Sequence, residues 1–258
     1  AGLINAVELT NRKMSDIKIA INGAGASAIS CARLFIMFGA NPDNILMCDS
    51  KGVIYKNRDG LNKQKEEFAV ETDCRTLEDT LKGADVFIGL SIGNVVSKEM
   101  VLTMADNPII FAMANPDPEI SPKDAFEARQ DIIMATGRTD YPNQVNNVLG
   151  FPFIFRGALD VAATDINEEM KVAAAQSLSK LAKLGAGPEI AARHNRKELV
   201  YGKEYIVPSP FDPRVLVWES YAVAKAAIDT GVARIKIDLD EYKEKLEKMA
   251  GVEPQNFD

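Results

Sequence analysis

The chain has 258 residues, 47% of them apolar and 26% charged, with 17 Gly, 12 Pro and 3 Cys. These proportions exclude a collagen, a disulfide scaffold and a disordered chain, and leave ample apolar material for one large or two modest domains. Thirty Lys and Arg stand against 37 Asp and Glu, a net charge of −7. That balance argues against nucleic acid or an anionic membrane as the main partner, but not against a small anion held by backbone N–H groups.

Cys31, Cys48 and Cys74 are an odd number with no CxxC pair, which reads as a reduced, cytoplasmic chain. No run reaches the roughly 18 apolar residues of a membrane span. Residue 1 is Ala, so the start reads either as a processed terminus or as a cut within a longer protein. The single histidine, His194, sits in the polar run Ala191-Ala192-Arg193-His194-Asn195-Arg196-Lys197. It reads as part of a solvated loop or helix end, and a His-rich zinc site is excluded.

Residues 1–15 begin with a helical face. From residue 17 the order becomes strand, glycine turn, helix, strand, repeatedly. Strands are expected at 17–21, 45–48, 84–88, 108–113 and 132–135, all short apolar runs. Runs of this kind separated by helical spacers predict a buried parallel sheet. A helix is expected over 27–38, ended by Gly39. Ser97 and Ser121 read as helix caps, the second followed by Pro122 at the first helical position. After Asn147 the texture turns mostly helical. Asp165 with Glu168 reads as a capping box opening a helix to about Leu184. Pro208, Pro210 and Pro213 mark a loop, and a helix follows from about Val215 to Thr230. A last helix carries Leu239, Tyr242, Leu246 and Met249 on one side and is expected to pack on a neighbouring surface.

The sharpest motif is Asn22-Gly23-Ala24-Gly25-Ala26-Ser27-Ala28. It fits G-x-G-x-x-G/A through Gly23, Gly25 and Ala28, after an expected strand and at the start of an expected helix. The first glycine permits a tight turn, the second lets backbone approach a pyrophosphate, and the third small residue allows close helix–strand packing. The helix start turns free N–H groups and the positive end of its dipole toward phosphate. Asp49, ending the second strand, can accept hydrogen bonds from both ribose hydroxyls and would repel a 2′-phosphate, which favours NAD over NADP.

The segments Gly89-Leu90-Ser91-Ile92-Gly93-Asn94 and Asn115-Pro116-Asp117-Pro118-Glu119 follow the third and fourth strands. In an open parallel sheet they are placed to line a cofactor crevice. The run from Thr136 to Asn147 holds Asn143, Gln144, Asn146 and Asn147 close together. Amides of this density suit a carboxamide or a carboxylate ligand, or else cap their own loop.

With these motifs, Phe111-Ala112-Met113-Ala114-Asn115-Pro116, the run 141–160 and Pro208-Ser209-Pro210-Phe211-Asp212-Pro213-Arg214 in view, the chain resembles the malic enzymes, most of all their compact bacterial-type members. The resemblance covers about residues 1–233. It implies a Rossmann-like, doubly wound parallel sheet with flanking helices and a helical C-terminal extension. The implied bounds are 1–17 for a lead-in helix, 18–233 for the NAD(P)-binding domain and 234–258 for a helical tail. It implies oxidative decarboxylation of (S)-malate to pyruvate and CO2. The pyrophosphate would lie on Gly23, Gly25, Ala26 and Ala28, and the adenosine ribose on Asp49 and Ser50. Ser91, Asn115 and Asn146 would line the cofactor, and Asn115 and Asn147 would face malate.

Some NADP-using members place a lysine just before a Phe-Ala pair; here Glu66 precedes Phe68-Ala69 by that count, which again favours NAD, with Lys51 and Lys65 nearby as counterweights. The family's catalytic Tyr and Lys and the acidic ligands of its Mg2+ or Mn2+ precede the nucleotide domain. The resemblance therefore implies no catalytic residue and no metal ligand in this chain, which alone would be inactive. A homodimer without nucleic-acid or membrane partners is expected. The alternatives are a non-catalytic nucleotide-sensing module or another NAD-dependent dehydrogenase.

Overall fold

A computed structural model describes residues 1–257. The chain forms two compact units, one of Ala6–Gln144 and the other of Ala1–Asn5 with the residues from Val145 onward. Helix α1, Gly2–Leu9, runs from one into the other. The boundary at Gln144–Val145 falls inside the segment 18–233 read from sequence as one domain.

The first unit is built on six strands: β1 (Ile19–Asn22), β2 (Ile45–Asp49), β3 (Gly52–Val53), β4 (Val86–Gly89), β5 (Ile109–Ala112) and β6 (Ile133–Thr136). Their order is β3-β2-β1-β4-β5-β6, parallel throughout except for the short edge strand β3, which turns back on β2. This is the Rossmann-like arrangement expected from sequence, with the chain leaving β1 in both directions. The pairs Asn22 with Cys48, Asn22 with Gly89, Gly89 with Ala112 and Ala112 with Thr136 lie in register. The loops that leave the carboxyl ends of β1, β2, β4, β5 and β6 therefore emerge along one edge.

The strands read as near-continuous apolar runs because both faces of a parallel sheet are covered. The helices of this unit are α2 (Ala26–Met37), α3 (Lys63–Glu66), α4 (Leu77–Leu81), α5 (Lys98–Leu102) and α6 (Pro122–Ala128). On one face Phe87, Ile110 and Met134 pack against Leu81, Val101 and Ala125 from α4, α5 and α6. Caps fix where these helices begin. Thr76 and Asp79 form a capping box, Ser97 accepts from the Met100 amide, and Ser121 accepts from the Asp124 amide ahead of Pro122.

The second unit is helical: α7 (Phe153–Asp160), α8 (Glu168–Lys183), α9 (Pro188–Arg193), α10 (Arg214–Asp229) and α11 (Leu239–Ala250). Helix α10 is central and packs on α7, α8 and α11. A Cβ on Gly157 would lie 2.5 Å from the Ser220 carbonyl oxygen, so α7 and α10 meet closely there. The buried Asn5 donates to the carbonyls of Ser179 (3.0 Å) and Ile206 (2.8 Å) and accepts from the Ser179 hydroxyl at 2.7 Å. Among the described residues, no helix is long and apolar enough to cross a membrane.

Several expectations shift. Four of the five expected strands begin one or two residues later than the apolar runs, and β3 was not anticipated. Helix α8 is capped by Asn167, which accepts from the Met170 amide at 3.0 Å, rather than by Asp165, whose carboxylate accepts from its neighbour Ile166. On α11 Tyr242 and Leu246 are buried, but Met249 is half exposed. His194 is the C-cap of α9, as a helix end, yet it is not simply solvated: Nε2 lies 2.7 Å from the Ser209 hydroxyl and the ring faces Phe211.

Candidate dinucleotide site

The edge where the strands end begins with Gly23. Its φ of +123° favours glycine, and a Cβ there would lie 2.7 Å from the Leu90 carbonyl oxygen. The Gly23 amide donates to Cys48 O at 2.8 Å, which ties the turn to the end of β2. Gly25 is the N-cap of α2 and supplies no side-chain cap. A Cβ built on it would meet no atom within 4 Å. Gly25, Ala26 and Ser27 are exposed, whereas Ala28 is buried under the helix. The result is an open concavity facing the uncapped first turn of a twelve-residue helix. Unpaired N–H groups and the positive dipole end fit a pyrophosphate there. Gly23, Gly25, Ala26 and Ala28, the residues expected to hold a pyrophosphate, all lie at this turn, Gly23 and Ala28 buried and Gly25 and Ala26 exposed.

At the end of β2, Asp49 is surrounded by donors. Arg58 Nη2 reaches both carboxylate oxygens at 2.7 Å, Lys65 Nζ reaches Oδ2 at 2.6 Å, and the Lys51 amide reaches Oδ1 at 2.9 Å. Only 8% of the Asp49 side chain is exposed. Burial acts to raise its pKa, but the hydrogen bonds from Lys65 and Arg58 prevail and hold it down at about 2. Arg58 is itself fixed by the carbonyls of Gly52 and Val53, at 3.1 and 2.7 Å. Strand β3 thus exists where the chain folds back to bring Arg58 onto Asp49. Ser50 and Glu66 are both exposed. Of the two carboxylates that the sequence sets in this corner, Asp49 is spent on two cations and Glu66 stays exposed.

Ser91, beyond β4, is exposed and donates its amide to Glu119 Oε1 at 3.1 Å. Asn115, beyond β5, is exposed and precedes a cis peptide to Pro116; the Ala114 amide donates to Glu119 Oε2 at 3.0 Å. Glu119 itself, expected to line the crevice with its segment, is fully buried. Burial pushes its carboxyl above the usual range, while the Ala114 and Ser91 amides pull the other way.

The amide-rich run divides in two. Asn143 is buried, at φ +56°, and donates to the Met134 carbonyl at 3.0 Å. Gln144 is buried and bridges to Thr136. These two are structural. Asn146 and Asn147 belong to the helical unit. Asn146 is half-buried and caps a 3-10 turn, accepting from the Val148 amide at 3.0 Å; Asn147 is exposed. Of the four, Asn147 presents its side chain most openly.

Arg58, the burial of Glu119 and the space that Gly89 leaves for its carboxylate escaped the sequence reading. So did Glu219 in α10, fully buried with neither carboxylate oxygen hydrogen-bonded. Among the described residues no group of three or more His, Cys, Asp or Glu side chains is gathered to hold a metal ion.

Comparison with known proteins agrees with this geometry. The family described as malic enzyme, NAD binding domain, matches residues 1–189. A probable NADP-dependent malic enzyme of Rickettsia prowazekii (strain Madrid E) is 56% identical over 95% of this chain and 32% of its own length. An NADP-dependent malic enzyme of Halomonas elongata is 52% identical over 91% of this chain and 56% of its own. The crystal structure of Entamoeba histolytica malic enzyme superposes with a TM-score of 0.83 at 35% identity, over 96% of this chain and 51% of that one. The chain thus spans from about a third to just over half of these relatives. With the family's NAD binding domain matched over residues 1–189 and a malic enzyme structure superposing over 96% of the chain, this chain belongs to the malic enzyme family.

Proposed function

We propose that these residues form the dinucleotide-binding part of an enzyme that oxidises (S)-malate and decarboxylates it to pyruvate and CO2, with NADP as the preferred acceptor. The observation that carries the reading is the open glycine cradle at Gly23 and Gly25, set at the end of a parallel sheet beside the Asp49 corner. A dinucleotide held here would supply the hydride acceptor for malate oxidation. The first turn of α2 would hold its pyrophosphate by backbone N–H groups. Ser91 and Asn115 would bound the space for the nicotinamide end.

The choice of NADP rests on charge. Asp49 already accepts from Arg58, Lys65 and the Lys51 amide, so it has little capacity left for two ribose hydroxyls. Arg58 and Lys65 together outweigh its single negative charge and favour a 2′-phosphate. The Rickettsia and Halomonas relatives are named as NADP-dependent, the first as a probable one, which supports the same choice. The NAD preference inferred from sequence rested on Asp49 and Glu66 as carboxylates that repel a 2′-phosphate, with Lys51 and Lys65 as counterweights.

Calorimetric titration with NADP and NAD tests this, in wild type and Lys65→Ala. NADP is expected to bind roughly tenfold or more tightly, as loss of about 1.4 kcal/mol or more of phosphate contact would reverse. The advantage should collapse in the variant. Tighter binding of NAD by wild type overturns the NADP reading. Binding of neither overturns the cofactor reading as a whole.

A further inference from the structure

Strands β4 and β5 lie side by side, with Gly89 opposite Ala112. Beyond these residues the chain leaves in two loops. One carries Ser91 and the other Asn115, the residues that bound the nicotinamide end of the proposed site. Nothing in the sheet ladder itself fixes the spacing of these loops once the strands have ended.

Glu119 bridges the gap. Its Oε1 accepts from the Ser91 amide at 3.1 Å and its Oε2 from the Ala114 amide, immediately before Asn115, at 3.0 Å. It is fully buried. Around it the two loops are joined by backbone as well: Asn94 donates to Pro118 O and Val96 to Glu119 O, each at 3.0 Å, and Met113 donates to Gly89 O at 3.1 Å. Space for the carboxylate is reserved at Gly89, where a Cβ would lie 2.2 Å from Glu119 Cδ. Both partners are N–H donors, and an ionised carboxylate is an acceptor at both oxygens. Glutamine would set an NH2 group against one of the two amides. Aspartate, one methylene shorter, would not span them.

We infer that Glu119 is a positioning residue for the reaction: through the amides of Ser91 and Ala114 it sets the spacing of the loops that present Ser91 and Asn115, and thereby the alignment of nicotinamide and malate. The inference rests on the malate-oxidising reading proposed above. It adds to that reading a carboxylate that touches neither cofactor nor substrate. The glycine cradle and the Asp49 corner make none of these contacts, so dinucleotide affinity and turnover respond differently to its loss.

The test uses the full natural protein, with Glu119→Gln and, as a second variant should the first not fold, Glu119→Asp. Three quantities are read: NADP affinity, kcat with KM for malate, and hydrogen exchange at the Ser91 and Ala114 amides. The expected result is a kcat lower by roughly 10- to 100-fold, the scale of a small misalignment of reacting groups. Malate KM should rise, NADP affinity should hold within about threefold, and both amides should exchange at least about tenfold faster as they lose a charged acceptor. Unchanged kcat and KM in an active, folded variant overturn the positioning role alone. So do amides that exchange as in wild type, or parallel losses in NADP affinity, turnover and melting temperature. Wild-type protein that neither binds a dinucleotide nor oxidises malate overturns the functional reading and the positioning role with it, whatever the exchange data show.

Discussion

Arg58 Nη2 lies 2.7 Å from each oxygen of Asp49, and the same arginine is braced by two backbone carbonyls of the β3 hairpin. Asp49 is therefore a structural anchor as well as a candidate ligand contact. Its carboxyl is held at about 2, below the ordinary 3.8. A carboxyl lowered by folding contributes stability that is complete above its unfolded pKa and lost as pH falls through the folded one. The window here runs from about pH 4 down to about pH 2. The shift corresponds to on the order of 2 kcal/mol. Asp49→Asn should lower the melting temperature at pH 7 by roughly 4–8 °C and leave the stability flatter across that acid window. Superimposable acid-unfolding curves for variant and wild type would contradict the anchor role.

The two glycines of the turn predict opposite outcomes. Gly23→Ala puts a side chain at φ +123° and against the Leu90 carbonyl, so it should cost stability by on the order of 1–3 kcal/mol and lose binding with it. Gly25 has ordinary extended backbone, φ −86°, and open space where its Cβ would be. Gly25→Ala should fold with an unchanged melting temperature and still weaken dinucleotide binding, because the methyl group occupies the approach to the pyrophosphate. Parallel thermal melts and titrations of the two variants separate the effects. A Gly25→Ala protein that binds as wild type removes the pyrophosphate from this turn.

That division also explains what could be read from the sequence. The strands of the parallel sheet, the glycine turn and α2 were legible because each rests on local pattern: apolar runs, G-x-G-x-x-A and a glycine stop. The state of Asp49 was not legible. Arg58 and Lys65 reach it from a hairpin and a short helix with no periodic signal. The role of Glu119 was hidden for a similar reason, since it depends on the absence of a side chain at Gly89. In the Asn-rich run, composition could not say which amides face inward. Asn143 gives its amide to the Met134 carbonyl of β6 and Gln144 pairs with Thr136 through its backbone, and only tertiary packing decides that.

The start of α8 offers a simple check of local reading against structure. Asn167 accepts from the Met170 amide at 3.0 Å and donates to the Thr230 hydroxyl at 2.9 Å. Asp165 bonds only its own neighbour. Asn167→Ala should cost about 1 kcal/mol, and Asp165→Ala markedly less. Chemical denaturation at neutral pH measures both, and equal losses would restore Asp165 as the cap.

Glu219 gives the sharpest dependence on pH. It is fully buried in α10, and neither oxygen has a hydrogen-bond partner. The place a Gly150 Cβ would occupy is 3.8 Å from Oε1, at the end of the turn that carries Asn147. Burial pushes its carboxyl up to about 9 from the usual 4.5. In this case the folded state holds a proton that the unfolded state releases near pH 4.5. Stability therefore declines steadily as pH rises above that value and levels off only above about pH 9. Glu219→Gln keeps the size and removes the titration. Its melting temperature should match wild type within a few degrees at pH 5, and exceed it by roughly 5 °C or more at pH 9, where the burial penalty reaches on the order of several kcal/mol. Thermal melts of both proteins from pH 5 to pH 9 make the comparison. A difference that stays constant across the range would mean that Glu219 does not carry its proton into the fold, and that its oxygens find partners or solvent in solution.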